Sequence, residues 1–555
     1  MSEFRVYGPP GTGKTTYLSR QIRRAADKYG AESVLVGSFT RAAAAELISR
    51  ELPVPESHVG TLHALAYRCL GMEQGQITDA PEGLEAWNER YPHYAIGRRR
   101  RREEDESDDL STGGQGEGDR HYQELQRLRA QMRPQSAYPG SVWAFRETWE
   151  RWKRETGTVD FTDLIELAIE NVRTPGEDIQ IAFYDEAQDF TMLELSLVRR
   201  WAGAMESVVL AGDDDQTIYW FKGALPDAFL KPEIPKEHKH VLSQSYRLPK
   251  AIQALAQAWI RRLTYREAKD YKPRDEDGYV RRGGGGASWQ NPAPLLAEIE
   301  ADLEQGHTVM LLAHAGYMLG PFMKQARAAG LPFHNPYREE EYVYNPLRPA
   351  RGISSSQRIL AYYRAEPDVW GEEARLWTAR ELYWIAEVLK SEGTLTRGAK
   401  AALKAAAETE QGVTHELDWL DILEYFEEEA ASGGLVEPSL EWLQERLVPS
   451  KRKGMEFPIA IARARGVNAL REDPRLVLGT IHSVKGGEAD VVYLISDLSP
   501  AGLEAWEKGG AAKDAAIRTF YVGMTRARLG LVLVDADGPS VPVRRTLREL
   551  TAAVA

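Results

Sequence analysis

The first sixteen residues contain the feature that most restricts how this chain can fold. An apolar run, Phe4 to Tyr7, is followed by the segment GPPGTGKTT and by a helix-forming stretch from about Lys14. A phosphate-binding loop has this order, because backbone N–H groups and a helix N-terminus must converge on phosphate oxygens. The sequence therefore predicts a nucleotide site formed by Gly8, Pro9, Pro10, Gly11, Thr12, Gly13, Lys14, Thr15 and Thr16.

An acidic pair after a second apolar run completes the candidate nucleotide site. In IQIAFYDEA, Asp185 and Glu186 stand at the predicted end of a strand. We expect Lys14 to neutralise the β- and γ-phosphates of ATP, and the Thr15 hydroxyl and the Asp185 carboxylate to hold Mg²⁺. Glu186 is expected to orient the attacking water and accept its proton. The predicted cofactors are thus ATP and Mg²⁺.

The phosphate loop alone leaves the class of enzyme open. GPPGTGKT also suits an AAA-type ATPase or a small kinase. The long interval between Lys14 and Asp185 disfavours an AAA-type module, which keeps this interval far shorter, and it leaves room for a sizeable insertion.

The order of apolar runs predicts an α/β fold with two parallel-sheet domains, each interrupted by a helical insertion. The runs lie at Val34–Gly37, Ile179–Ala187, Ser207–Gln216, Thr308–Ala315, Arg475–His482, Asp490–Ser496 and Leu529–Ala536. We expect the first domain at residues 1–70 and 159–250, with its insertion at 71–158. The second domain is expected at 251–343 and 474–555, with its insertion at 344–473.

Two segments outside the sheets receive less specific interpretations. Arg98–Arg102 and the acidic, glycine-rich residues after them predict a disordered, solvated loop near 98–120, which we favour over a DNA-contacting role. Residues 344–473 carry apolar side chains at helical spacing, and their Trp and Tyr residues are interpreted as a bundle core rather than a ligand site. Gly283–Gly286 predicts a flexible loop.

Composition excludes several classes of protein and leaves the function to the motifs. The chain has 555 residues, one cysteine (Cys69) and a net charge of −13. A single cysteine excludes an internal disulfide framework, and no apolar stretch approaches the roughly 20 residues of a membrane span. We expect a cytoplasmic protein without a membrane partner. The negative charge argues against coating of nucleic acid by bulk electrostatics but allows a narrow binding track.

An ordered set of motifs resembles the UvrD/PcrA/Rep group of superfamily 1 helicases. The resemblance is most specific at DEAQD and GDDDQTIYWFKGA, and it extends over both predicted motor domains. The other matching segments are SFTRAAAAEL (Ser38–Leu47), GTLHALAYR (Gly60–Arg68), LSQSYRLP (Leu242–Pro249), VLGTIHSVKGGEADVVYL (Val477–Leu494) and RTFYVGMTRAR (Arg518–Arg528). The resemblance implies two RecA-like domains and an ATP-dependent DNA helicase with 3′→5′ polarity.

The resemblance also implies roles for individual residues. Gln216 would sense the γ-phosphate, and Arg247 and Arg526 would act as arginine fingers on the transferring phosphoryl group. Tyr246 would stack on adenine, and Glu488 would meet the ribose. The residues implied to contact single-stranded DNA are Phe39, Tyr219 and Phe221 by stacking on bases, and Thr61, His63, Thr480 and His482 on the strand backbone.

Several alternatives stay open at this point. A translocase that strips proteins from single strands, or a nucleotide-gated binding module, would also carry these motifs. His63 and His482 could instead be catalytic or metal-binding residues. The family's glutamine motif upstream of the phosphate loop has no counterpart before Gly8, so adenine selectivity is open.

Single-strand/duplex junctions are expected partners, whereas protein partners and the biological pathway are not predicted. The absence of a nuclease constellation after Arg528 disfavours a RecB-like helicase–nuclease.

Overall fold

The computed structural model describes residues 2–40, 43, 47–78, 81–97, 116–338, 342–348 and 352–554. The arginine run Arg98–Arg102 and most of the loop predicted near 98–120 lie outside these residues, as do five residues of the matching segment Ser38–Leu47. The chain divides into two compact units: residues 1–282, 312–317 and 480–555 form the first, and residues 283–311 and 318–479 form the second. The domain boundaries given above follow the predicted sheets rather than these units, and they stay a prediction.

Each predicted apolar run contains a strand, although the strand ends differ by a few residues. The strands are β1 (Ser2–Tyr7), β2 (Val34–Ser38), β3 (Val59–Thr61), β4 (Ile181–Asp185), β5 (Ser207–Gly212), β6 (Lys239–Val241), β7 (Tyr279–Arg282), β8 (Val309–Ala313), β9 (Leu476–Thr480), β10 (Ala489–Ile495) and β11 (Ala527–Val534). The predicted α/β class is confirmed.

The first parallel sheet places the candidate nucleotide residues at one edge. Its strand order is β3–β2–β4–β5–β1–β6, and every neighbouring pair is parallel. In a parallel sheet the carboxyl ends of the strands meet at the same edge, where ligands bind. The phosphate loop follows β1, Asp185 ends β4, and Asp213 follows β5. Three sequence-distant motifs are thereby brought together.

Apolar side chains alternate between the two faces of this sheet, and both faces are covered by helices. Val6, Val36 and Phe183 belong to one apolar cluster, which includes side chains of the helix after the phosphate loop. Tyr7 and Tyr184, their neighbours along β1 and β4, belong to a second cluster on the opposite face. Successive side chains of a strand point to opposite faces, so the near-continuous apolar runs in the sequence are those of strands buried on both sides.

The helices account for most of the remaining described chain. They are α1 (Lys14–Tyr29), α2 (Leu62–Leu70), α3 (Pro81–Arg90), α4 (Glu117–Ala130), α5 (Gly140–Thr156), α6 (Phe161–Asn171), α7 (Met192–Ala202), α8 (Pro226–Leu230), α9 (Lys250–Ile260), α10 (Pro292–Glu304), α11 (Gly320–Ala328), α12 (Ser355–Tyr362), α13 (Pro367–Trp370), α14 (Ala379–Ala386), α15 (Ala399–Ala407), α16 (Glu410–Thr414), α17 (Trp419–Tyr425), α18 (Glu428–Ala431), α19 (Leu440–Arg446), α20 (Pro449–Arg465), α21 (Pro500–Lys508), α22 (Gly510–Met524) and α23 (Val543–Val554). Among the described residues, none of these helices is both long and apolar enough to span a membrane.

A buried carboxylate anchors the helices of residues 71–158 to the first sheet domain. Asp160 caps α6, accepting a hydrogen bond from the Asp163 amide at 2.8 Å. The same carboxylate accepts bonds from Arg129 of α4 at 3.0 Å and from Lys153 and Trp149 of α5 at 3.0 and 2.9 Å. Burial opposes ionisation, but the two cations outweigh it and hold the pKa of Asp160 well below its usual range. Removing one member would leave uncompensated buried charge.

The strands of the second sheet that belong to the first unit also pair in parallel. Strand β11 pairs in parallel with β10 on one side and with β7 on the other. In the second unit, aromatic side chains of α12 and α19 pack as predicted for a bundle core: Tyr362 stacks on Trp442 with ring centroids 5.8 Å apart. Trp377 is buried, and its indole N–H donates to the Ala361 carbonyl at 2.6 Å. These residues are therefore engaged in packing.

Candidate functional site

The phosphate loop, residues 8–16, joins β1 to α1 through a backbone that requires glycine. Gly11 and Gly13 have φ values of +73° and +74°, in the left-handed region that glycine adopts without strain. At Gly8 a Cβ atom would clash with the Lys14 side chain, whose Nζ donates to the Gly8 carbonyl at 2.8 Å. The lysine thus folds back over the loop, where a phosphate group would lie. This geometry explains why the motif has glycine at positions 8, 11 and 13 and lysine at position 14.

Asp185 lies beside the first turn of α1. The Thr15 hydroxyl donates to its carboxylate at 3.0 Å. Burial, and then the neighbouring Glu186 carboxylate, raise the pKa of Asp185 to about 6. A hydroxyl and a carboxylate at hydrogen-bond distance are the oxygen donors that suit Mg²⁺ in phosphate sites. The predicted pair of metal ligands is therefore adjacent.

Glu186 has a strained backbone and a cationic environment. Its φ of +54° lies in the left-handed region, which non-glycine residues occupy mainly at functional sites. Its carboxylate accepts a bond from Gln188 at 2.7 Å and lies 3.2 Å from Lys485 Nζ. Burial raises its pKa, but Lys485 and then Lys14 outweigh that effect and lower it to about 2. Glu186 is therefore a fixed carboxylate anion at neutral pH.

Gln216 connects the acidic edge of the first sheet with Arg526. Its side-chain amide donates to Asp213 at 2.8 Å, and its carbonyl oxygen accepts a bond from Arg526 Nη2 at 3.0 Å. The arginine is 2% exposed and also donates to the carbonyl groups of Gly487 and Val522, at 3.2 and 3.0 Å. The predicted γ-phosphate sensor and the predicted arginine finger are in direct contact.

Arg247 lies directly against the phosphate loop. A Cβ atom at Gly11 would clash with the Arg247 side chain, and the Tyr246 amide donates to the Gly11 carbonyl at 2.8 Å. Arg247 Nε donates to Glu488 at 2.7 Å, so the residue implied to meet the ribose here pairs with a predicted arginine finger. The Tyr246 ring is 75% exposed, as a platform for a stacking base needs to be.

Four predicted strand-contacting rings form one cluster. Phe39 and Tyr219 have centroids 5.2 Å apart, Tyr219 and Phe221 lie 6.0 Å apart, and Phe221 lies 5.8 Å from the His482 ring. Tyr219 and His482 are buried, at 3% and 5% exposure, whereas Phe39 and Phe221 are partly exposed. The two phenylalanines are thus the partly exposed members of the cluster; Tyr219 packs against both, and His482 packs against Phe221.

The remaining predicted strand contacts already have partners within the protein. Thr61 caps α2 by accepting the Ala64 amide at 3.2 Å, and the Thr480 hydroxyl accepts the Ser483 amide at 3.3 Å. The His63 ring packs edge-on against Phe161 at 5.8 Å. In the part of the chain that the structure describes, no group of three or more His, Cys, Asp or Glu side chains is placed to bind a metal. The role of these residues on a strand stays a prediction.

Two residues that join the motifs, Lys485 and Gln188, were not predicted from the sequence. Lys485 contacts both Glu186 and Asp189, and its Nζ lies 5.3 Å from the Tyr219 ring centroid. Gln188 donates to Glu186 at 2.7 Å and accepts the Asp213 amide at 3.0 Å. Both residues lie inside segments that resemble the helicase motifs, SVKGGEAD and DEAQD. A polar side chain within a matched motif was therefore the sequence signal that could have identified them.

The fold and this site define a P-loop enzyme in which a phosphate loop, an acidic strand end and two arginines meet in one compact unit. Residues 1–235 match the family model described as UvrD/REP helicase N-terminal domain. The motif order continues beyond those residues to Arg528, and this match, together with the similarity to relatives named as ATP-dependent DNA helicases, supports a UvrD-type superfamily 1 helicase.

Similarity to individual proteins extends over nearly the whole chain. The ATP-dependent DNA helicase UvrD2 of Mycobacterium tuberculosis (strain H37Rv) is 25% identical over 95% of this chain and 76% of its own length. The putative ATP-dependent DNA helicase YjcD of Bacillus subtilis (strain 168) is 23% identical over the same two fractions. The RecBCD enzyme subunit RecB of M. tuberculosis is 29% identical over 31% of this chain and 17% of its own.

Gly11→Ala is expected to weaken nucleotide binding at least ~10-fold, equivalent to ~1.4 kcal/mol. The added methyl group is strained at φ +73° and clashes with Arg247. Gly30→Ala is the matched control, because Gly30 also has a positive φ, +92°, but has open space around a Cβ atom. Both variants should lose ~1 kcal/mol of stability. Titration with a fluorescent ADP analogue measures the difference, and equal affinities would contradict the fit between loop and arginine.

Proposed function

We propose that this protein uses ATP hydrolysis to move 3′→5′ along single-stranded DNA and to separate the strands of a duplex. The observation that carries the proposal is the chain of contacts Gly11–Arg247 and Gln216–Arg526 within one unit, together with Glu186. The names of the relatives UvrD2 and YjcD, both DNA helicases, support DNA as the substrate. A cytoplasmic location and a role in DNA repair, replication or recombination belong to the same proposal.

The residues present fit an ATP phosphate chain and a magnesium ion. Lys14 and the loop amides would hold the phosphates, and Thr15 with Asp185 would hold Mg²⁺, which neutralises phosphate charge when bound. Glu186 would orient the attacking water and accept its proton. Arg247 and Arg526 would place fixed positive charge on the transferring phosphoryl group, which suits a guanidinium because it is always ionised. Tyr246 would stack on the base, and Glu488 would meet the ribose.

A single short segment would couple this chemistry to the DNA strand. Gln216 contacts Arg526, and three residues later Tyr219 lies in the cluster formed with Phe39, Phe221 and His482. A change in the Gln216 contacts on hydrolysis would therefore shift the aromatic cluster, which is the type of local switch that drives larger motions. Bases would stack on Phe39 and Phe221 without sequence preference, since every base has a π-face.

Besides base stacking, the protein would contact the sugar–phosphate backbone of the DNA strand through four residues. Thr61, His63, Thr480 and His482 would contact the backbone of the strand through hydroxyl and imidazole groups, which position nucleic acid without reading its sequence. Single-strand/duplex junctions are the expected substrates.

The polarity test uses labelled duplexes with either a 3′ or a 5′ single-stranded tail. We expect ATP-dependent unwinding of the duplex with the 3′ tail, because the family resemblance implies that polarity. Unwinding only from the 5′ tail would overturn the polarity. Strand-stimulated ATP hydrolysis without unwinding on either substrate would favour a translocase that strips proteins from single strands, and Lys14→Ala with no loss of any activity would remove the motor altogether.

A further inference from the structure

A segment outside the recognised motifs contacts two parts of the candidate nucleotide site: the phosphate loop and the aspartates that follow β5. The connector, which we define as residues 264–272, follows α9 and carries Arg266, Lys269 and Tyr271. The Tyr271 hydroxyl donates to the Pro10 carbonyl of the phosphate loop at 2.7 Å. The two cations face the aspartates that follow β5. The connector therefore joins the phosphate loop to the segment that carries Gln216.

Lys269 is the common partner of three consecutive carboxylates. Its Nζ lies 2.7 Å from Asp213, 2.5 Å from Asp214 and 3.0 Å from Asp215, and its side chain is 1% exposed. Arg266 contacts Asp215 alone, with Nε donating at 2.8 Å. Three carboxylates side by side repel one another when they are buried, unless cations compensate them. Lys269 therefore fixes the geometry of this acidic turn.

The contact with Asp213 leads from Lys269 to the chemistry. One oxygen of Asp213 accepts Lys269, and the other accepts the side-chain amide of Gln216 at 2.8 Å. The Gln216 carbonyl oxygen is thereby turned toward Arg526. The Lys269 ammonium is engaged by the three carboxylates rather than directed at a phosphate group. It can act on hydrolysis only by holding Asp213 in the orientation that orders Gln216.

We propose that Lys269 is a positioning residue for ATP hydrolysis, acting through Asp213 to hold Gln216 in register with Arg526. The inference rests on the proposed role of Gln216 as the γ-phosphate sensor. Because Lys269 orders a group that acts on the transferring phosphoryl, its loss lowers kcat. KM for ATP is set by other groups and stays near its starting value. Arg266, which contacts Asp215 alone, lacks this link.

The test removes Lys269 while keeping the net charge of the cluster the same as in the wild type. Lys269→Met is combined with Asp214→Asn, which deletes one cation and one carboxylate together, and Asp214→Asn alone is the reference. Steady-state ATP hydrolysis is measured with saturating single-stranded DNA, and thermal melting confirms equal folding of the two proteins. We expect kcat to fall on the order of 10- to 100-fold relative to the reference, since small misplacements of catalytic groups have effects of this size. KM is expected to change less than ~3-fold.

A double-mutant cycle separates positioning from a general structural effect. In a Gln216→Ala background, the same removal of Lys269 should lower kcat less than ~3-fold, because the residue it orders is absent. Equal losses in the two backgrounds, or no loss relative to Asp214→Asn, would overturn the inference. If Gln216→Ala alone leaves kcat unchanged, the sensor role fails as well, so failure of the proposed function is distinguished from failure of the inference.

Discussion

Glu186→Gln is expected to lower kcat for ATP hydrolysis by ~10²- to 10⁴-fold, the usual contribution of a general base. The amide has the size of the carboxylate and can still accept the bond from Gln188, so the local structure should survive. What is lost is the anion that we propose to orient water and take its proton. ATP binding should persist or tighten, because one negative charge beside the phosphates is removed. Steady-state hydrolysis and a fluorescent-nucleotide titration measure the two effects separately.

Glu206→Gln provides the control for this substitution. Glu206 immediately precedes β5 and therefore lies at the edge of the first sheet opposite the nucleotide residues, and its side chain is 57% exposed. The same chemical change there should leave kcat within ~2-fold, since surface substitutions away from specific features have small effects. If Glu186→Gln hydrolysed ATP at the rate of this control, the catalytic carboxylate would have to be another residue.

Arg526→Ala is expected to lower kcat ~10³-fold or more, within the range measured for arginine fingers. Its guanidinium is held by Gln216, Gly487 and Val522, so contacts within the protein fix its position. Arg526→Lys should recover only a small part of the rate, because an ammonium cannot make the planar, forked contacts of a guanidinium. Arg282→Lys, at an exposed ion pair with Asp535, is the control and should retain the wild-type rate.

Arg526→Ala should spare the binding of ADP, which lacks the transferring phosphoryl group. An equal loss of ADP affinity and of kcat would mean that the arginine supports the fold of the site rather than the reaction. Thermal melting of the two Arg526 variants against wild type identifies that case directly.

The parts of the molecule that could be predicted from sequence are those encoded by neighbouring residues. The strand before the phosphate loop, the loop glycines and the Asp185–Glu186 strand end are local patterns, and each is found where it was predicted. The pairing of Thr15 with Asp185 followed from known magnesium chemistry and the common edge of a parallel sheet.

Contacts between distant segments could not be predicted in the same way. Lys269 and Asp213 are joined by tertiary folding alone, and no periodicity marks a lysine in an irregular connector as buried. Lys485 lay inside a matched motif, but its contact with Glu186 joins two segments that are about 300 residues apart in sequence and is made by tertiary folding. The burial of Tyr219 likewise involves rings from distant segments, Phe39 and His482, beside the neighbouring Phe221. The local sequence shows which residue stands at each of these positions, but it does not show which side chains surround it.

In the proposed mechanism, Arg526 acts on the same phosphates that the Gly8–Thr16 loop holds. The most direct measurement compares the affinities of wild type and Arg526→Ala for ADP and for ADP with aluminium fluoride, an analogue of the transferring phosphoryl group. We predict an affinity loss on the order of 100-fold for the fluoride complex and less than ~3-fold for ADP, because the arginine stabilises the transition state rather than the bound nucleotide. Equal losses for the two ligands, or no loss for either, would contradict the account.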